Sequence, residues 1–264
     1  MSNNPAVMAI NACLGLLMAL LLAACGSTAV PELPANAYQD PWLDARYDDD
    51  RDPLEGFNRA IFRFNFNIID QYALRPVAVG WIYTLPDAGR QGVSNFLANL
   101  EEPVSAINNL LQFKVIDAAG SVWRFGVNST VGILGIFDVA SLGGVERRDE
   151  DFDEVLGYYG VGTGPYLMLP IYGVATPRSL VGDTVDGLFS PFTFWQNALK
   201  WSVKGVEKRA EFMAQEGVMF NALDPYAFSR NAYFEYIEFQ VYDGQPPLAK
   251  GNEHLDDYLD EIDD

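Results

Sequence analysis

Three features of this 264-residue chain have residue types that could do chemistry: a lone histidine, a glycine cluster, and a cysteine closing an apolar run. His254 is the only histidine and lies in an acidic tail. Ser-His-Asp and Cys-His catalysis and histidine-rich metal sites therefore have no base or ligand to use. No G-x-S-x-G string is present, so a serine hydrolase has no nucleophile elbow. Gly160-Val161-Gly162-Thr163-Gly164 has the composition of a phosphate loop, but such a loop needs a helix directly behind it and preferably a lysine. Pro165 and Pro170 leave no room for that helix, and no lysine follows. The run predicts a tight turn, and the chain as a whole predicts no enzyme, no metal and no cofactor.

The cysteine carries more. The first 24 residues have no charged side chain, and Leu14 to Ala24 is apolar. As a helix that run spans roughly 16 Å, about half of a bilayer's hydrocarbon core. It reads as the apolar region of a secretory signal ending in Leu22-Ala23-Ala24-Cys25, small residues before a cysteine as in a bacterial lipobox. An ordinary signal peptide with an incidental Cys25 is the competing reading. On the lipobox reading, Cys25 is the acylated first residue of the mature protein, and several chains at about 0.8 kcal/mol per buried CH2 give stable anchoring. Cys13 is then discarded, so no disulfide is expected. Gly26 and Ser27 lack the aspartate that retains enterobacterial lipoproteins at the inner membrane, which points to the outer membrane.

Around these features the chain divides into a signal (residues 1–24), a lipidated tether (25–52) with prolines at 31, 34 and 41, a domain (53–250), and an acidic tail (251–264). The tail holds seven acidic residues and no lysine or arginine, but has no calcium-loop spacing. Of the net charge of −19, only −7 falls on the domain. No basic run offers a nucleic-acid face, and a membrane-facing role is compatible with this mild charge.

Within the domain the spacing is helical. Leu54, Phe57, Ile61, Phe64, Ile68 and Tyr72 form one stripe and Phe62, Phe66 and Ile69 a second. Together they make an apolar arc wider than a one-sided core helix needs. Either both faces pack in protein, or one faces lipid. Asn58, Arg63, Asn65 and Asn67 interrupt the arc, which excludes a spanning helix. Pro76 is expected to close the segment. Further helices are predicted over 87–100, 103–113, 116–128, 196–215 and 225–242 from proline, glycine and Asp-Pro punctuation. Strand alternation is strongest over Tyr166–Tyr172 and is interrupted by Pro170. The expectation is an all-α fold with turn-rich connections.

Thr130 to Gly144 stands apart. Ile133-Leu134 and Ile136-Phe137 are short apolar runs set among Gly132, Gly135, Gly143 and Gly144. Glycine costs up to about 1 kcal/mol per helical position, so the pattern suits a buried hairpin or a mobile apolar gate with glycine hinges.

The strings DPLEGFNR (52–59), RPVA (75–78), GVSNFLANLEEP (92–103), RFGVNSTVGILGIFDVAS (124–141), LGYYGVGTGPYLMLP (156–170) and DPY (224–226) together resemble the MlaA (VacJ) lipoprotein family. The resemblance covers about residues 52–244. Asp153-Glu154 departs from the Gly-Gln common before the LG string, and Ser179 stands after Arg178 where aspartate is common. The resemblance implies a single ring-shaped domain of amphipathic helices, embedded in the periplasmic leaflet of the outer membrane around an amphiphilic channel. It implies removal of mislocalised phospholipids from the outer leaflet. The implied partners are membrane phospholipids, a periplasmic lipid-binding shuttle of an ABC transport system, and a trimeric outer-membrane porin. A structural lipoprotein that braces porins without moving lipid is the alternative.

Overall fold

The computed structural model describes residues 30, 49–190, 192 and 194–247. Cys25, the signal, nearly all of the tether and the acidic tail lie outside the described residues. The doubled apolar stripe forms helix in two registers: α1 (Glu55–Phe64) runs directly into a π-helical segment (Asn65–Leu74) and then into α2 (Arg75–Thr84). Pro76 does not close this segment, as its residue type led us to expect, but lies in the first turn of α2. The Arg75 N–H donates to the carbonyl of Asp70, five residues back, so a widened turn absorbs the donor that proline lacks.

The two stripes part company. Leu54, Phe57, Ile68 and Tyr72 are exposed, whereas Phe62 is buried in a core with Tyr166, Met168, Tyr226, Phe234 and Ile237, and Phe66 packs on it. Tyr166 meets Tyr226 edge to face at 5.9 Å between centroids, the offset geometry aromatic rings prefer. A second cluster joins Ala78 and Ile82 of α2 to Ala210 and Met213, with Val30 packed against it.

Helix α3 (Asp87–Leu111) is continuous through Pro103, where two helices were expected. An interior proline costs about 3 kcal/mol. Here α3 packs along its length against α4 (Val115–Thr130), and that contact holds both halves in line. Short helices α5 (Val139–Leu142) and α6 (Phe152–Tyr158) follow. Strands β1 (Leu167–Leu169) and β2 (Gly173–Ala175) then pair antiparallel, Met168 opposite Val174. Pro170 ends β1 and opens the turn, in which Ile171 is left-handed at φ 68°.

Helix α7 (Pro177–Phe189) starts on a capping box, the Ser179 N–H donating to the Thr176 hydroxyl and the Thr176 N–H to Ser179 Oγ. The departure at Ser179 thus supplies its own cap. Helices α8 (Phe194–Phe212), α9 (Glu216–Phe220) and α10 (Pro225–Val241) complete the chain. The all-α expectation holds apart from the hairpin, and among the described residues no helix is long and apolar enough to cross a membrane.

Candidate functional site

One face of α3 borders a cavity of about 1030 Å³ whose other walls are the segment around Arg147–Asp151, the β-turn at Tyr172, α7, α8 and the side of α10 at Tyr236 and Gln240. Leu97, Val104 and Trp201 line it beside charged residues, so its surface is amphiphilic. Glu101 organises one wall. Its carboxylate takes Lys204 Nζ at 2.7 and 2.8 Å, Arg147 at 3.2 Å and Lys200 Nζ at 3.5 Å. Burial opposes its ionisation, but these cations outweigh burial and hold it below the usual range.

The facing wall is acidic. Desolvation by the surrounding walls first, and then the nearby Asp186 charge, raise Asp151, whose side chain is exposed at the cavity. Burial also raises Asp186, which accepts Asn108 Nδ2 at 2.7 Å and the Phe152 N–H at 2.8 Å, and Asp183, which accepts the Tyr172 hydroxyl. Behind this wall Glu154 is raised far above the carboxylate range, by burial and then by its hydrogen bond with Glu150. Asp153 is paired outward, with Arg178 at 2.8 Å.

The gate candidates are placed elsewhere. Gly132, Ile133, Leu134, Gly135, Ile136, Phe137, Gly143 and Gly144 are absent from the cavity wall. Their loop rests on α3 through Asn95 Nδ2, which donates to the Ile136 carbonyl at 3.1 Å, and beside Asn99 and Gly92. At 100° per residue, positions 92, 95 and 99 lie about 150° around the helix from the cavity face of 94, 97, 98, 101, 104 and 105. Ile133 at φ 52°, Leu134 at 60° and Gly135 at 92° form a left-handed run, and both non-glycine residues are costly there.

A buried network holds that run in place. Arg124 bonds Glu102 at 2.6 Å, the Val145 carbonyl at 2.6 Å and Asp138 at 3.1 Å, while Asn128 Nδ2 reaches Asp138 at 3.0 Å and the Ala140 N–H reaches Asn128 Oδ1 at 2.9 Å. Ile133, Leu134, Ile136 and Phe137 project outward, 42 to 64% exposed. Gly132 and Gly135 are needed sterically, since a Cβ would lie 2.2 Å from the Phe137 carbonyl oxygen and 2.4 Å from Asn99 Cβ respectively. Gly144 is left-handed at φ 81° in open space, and Gly143 has ordinary geometry at φ −80°.

The motif residues turn out to be structural partners of one another. Buried Asp52 accepts Asn58 Nδ2 at 2.8 Å, the Tyr226 hydroxyl, and Arg230 at 3.0 Å. Arg59 grips Asp224 at 2.5 Å and Glu55 at 2.7 Å, with its guanidinium 4.4 Å from the Tyr226 ring centroid. Asn58 and Asn65, read from the sequence only as interruptions, each hold the hairpin strand with both ends of the amide. Asn58 donates to the Tyr166 carbonyl at 3.0 Å and accepts the Met168 N–H at 2.9 Å. Asn65 does the same for the Leu169 carbonyl at 2.8 Å and the Ile171 N–H at 2.9 Å.

The charged cavity residues escaped the sequence reading altogether. The one available signal was Lys200, Lys204 and Lys208 at four-residue spacing, which share a helix face. Outside the cavity the surface is rich in exposed apolar residues, among them Phe113, Ile116, Val122, Trp123, Leu142, Leu188 and Trp195, each at least 60% exposed. Water-facing surfaces seldom carry so many, and they mark contact with a partner or a membrane.

The model of the MlaA lipoprotein family matches residues 50–240. The chain is 40% identical over 221 residues to the intermembrane phospholipid transport system lipoprotein MlaA of Escherichia coli, covering 80% of this chain and 88% of that one. It is 39% identical over 221 residues to the lipoprotein of the same description from Haemophilus influenzae, covering 80% and 87%. A solved structure reported as the structural basis for maintenance of bacterial outer membrane lipid asymmetry superposes with a TM-score of 0.68 at 44% identity, covering 72% of this chain and 98% of that one.

Proposed function

We infer from one premise, that this chain belongs to the MlaA lipoprotein family, that it works in phospholipid transport between membranes and so maintains outer-membrane lipid asymmetry. In the finer form of this reading, the domain sits as a ring in the periplasmic leaflet of the outer membrane and is anchored through acylated Cys25. It takes phospholipids misplaced in the outer leaflet through its cavity to a periplasmic lipid-binding shuttle of an ABC system, beside a trimeric porin. The observation that carries it is the pairing of an amphiphilic cavity inside with exposed apolar side chains outside. Headgroups need the polar wall, acyl chains the apolar one, and amphipathic helices that do not span still bury an apolar face in one leaflet.

The loop 130–144 enters as a gate acting through α3, because it touches that helix on the side away from the cavity. Ile133, Leu134, Ile136 and Phe137 then meet acyl chains, and Gly132, Gly135, Gly143 and Gly144 set the loop's shape. Mass spectrometry of the full chain purified from membranes tests the transport reading. Phospholipid should accompany the wild type and fall sharply in Ala98→Trp, which fills the cavity, and a strain lacking the protein should accumulate outer-leaflet phospholipid. A lipid-free wild type together with an unchanged outer leaflet would overturn it.

A further inference from the structure

The cavity carries opposite charges that face each other without meeting. On α8, Lys200, Lys204 and Lys208 line one wall together with Glu207 and Glu211 of the same helix, and on the segment before α6 and on α7, Asp151, Asp183 and Asp186 line the other. Glu101 is the carboxylate partner of Lys200 and Lys204, and it serves Arg147 as well. Among the described residues the Lys208 ammonium and the Asp151 carboxylate have no ion pair or hydrogen bond. No salt bridge within 4.0 Å crosses the space, although the walls feel each other's field: Asp183 that of Lys204 and Lys208, Lys208 that of Asp151.

Lys208 and Asp151 are exposed at the cavity and not buried in the protein, and an exposed charge without a protein partner is open to a ligand. The crowded walls disfavour both charges, and the like charge of Lys204 adds to this at Lys208. Each therefore gains from a ligand charge of the opposite sign. A molecule that presents an anion and a cation a few bonds apart serves both walls at once, while a purely anionic one leaves the acidic wall facing it.

We propose that this cavity recognises a zwitterionic phospholipid headgroup, the phosphodiester held by Lys204 and Lys208 and the ammonium turned toward Asp151 and Asp183. The assignment rests on the transport reading above and adds a headgroup preference to it. Leu97, Val104 and Trp201 supply the apolar side for the glycerol end of the chains.

The test uses the detergent-solubilised full chain, incubated with mixed micelles of equimolar phosphatidylethanolamine, phosphatidylglycerol and cardiolipin. Lipid retained after gel filtration is then counted by mass spectrometry. Phosphatidylethanolamine should be retained at about fivefold the amount of either other lipid, the scale of one partly screened ion pair. Asp151→Asn should erase the enrichment while total phospholipid stays constant, and Lys208→Glu should lower total phospholipid. The wild-type ratio decides the matter even if a variant fails to fold. Lipid retained without headgroup bias, or with phosphatidylglycerol enriched, overturns this proposal and leaves transport standing; no retained lipid overturns both. Phosphorylethanolamine titrated alone separates a free metabolite from a lipid headgroup, and saturable binding of it without displacement of lipid would also overturn the assignment.

Discussion

At the scale of single residues, the asparagine clamps show why polar side chains interrupt an otherwise apolar helix. Asn58 is fully buried, and its amide satisfies one N–H and one carbonyl of the strand it holds. Asn58→Ala leaves both backbone groups buried and unpaired, at about 1–3 kcal/mol each. Thermal unfolding in detergent should show a clear drop in midpoint, while Asn67→Ala, outside these clamps, should change little. Glu154 supplies a pH prediction. Its folded-state pKa is raised by burial and then by Glu150, so between the ordinary glutamate value and that raised pKa the folded state binds more protons than the unfolded state. Stability therefore falls as pH rises through this window. Glu154→Gln should flatten the dependence in melting curves taken from pH 6 to 9, and an unchanged slope would place the titrating group elsewhere.

At the scale of elements, the sequence was a good guide wherever apolar spacing and punctuation agree, and a poor one wherever packing overrides punctuation. Helices α4, α8 and α10 start and stop within a few residues of their expected bounds. Pro76 and Pro103 misled for a shared reason: a π turn absorbs one and the α3–α4 contact outweighs the other, and neither is legible from the proline itself. Helices α6 and α7 lacked a long apolar stripe, because each is pinned largely by polar contacts such as Arg178 to Asp153 and Asn108 to Asp186. The cavity was invisible because its walls come from residues 94–240, and only folding brings them together.

The glycines of the loop 130–144 make this testable one position at a time. Gly135→Ala combines a left-handed penalty of about 1–2 kcal/mol with a collision against Asn99, and Gly132→Ala collides with backbone. Both should lower the melting midpoint by several degrees. Gly144→Ala should cost about 1 kcal/mol, and Gly143→Ala should be close to neutral. If all four behave alike, the loop is not held in the described shape.

At the scale of the molecule, the exposed apolar residues are spread over several helices, so attachment to a bilayer should survive loss of the proposed acylation at Cys25. Cys25→Ala should remain associated with phosphatidylethanolamine and phosphatidylglycerol vesicles, with tryptophan emission shifted to the blue because Trp123 and Trp195 are 60 and 79% exposed. A detergent-free, monodisperse Cys25→Ala protein with unshifted emission would mean that these surfaces are covered by protein instead. Mass spectrometry of the wild type should show acylation at Cys25.

The lock around Asp52 has a consequence for how the chain reaches this structure in time. Arg51 bonds Asn231 at a separation of 180 residues and Asp52 bonds Arg230 at 178, so the first turn of the domain is stapled to its last long helix. Closing a loop of that length costs about 4–5 kcal/mol of chain entropy before any contact rewards it. The domain therefore cannot be finished while it is being synthesised or exported: Asp52, already delivered, must wait for Tyr226 and Arg230. During that wait the apolar helices are uncovered, which exposes the unfinished chain to aggregation. Asp52→Asn should lengthen the interval, visible as slower refolding from urea into detergent and greater loss to aggregation, even where the finished protein is recovered intact.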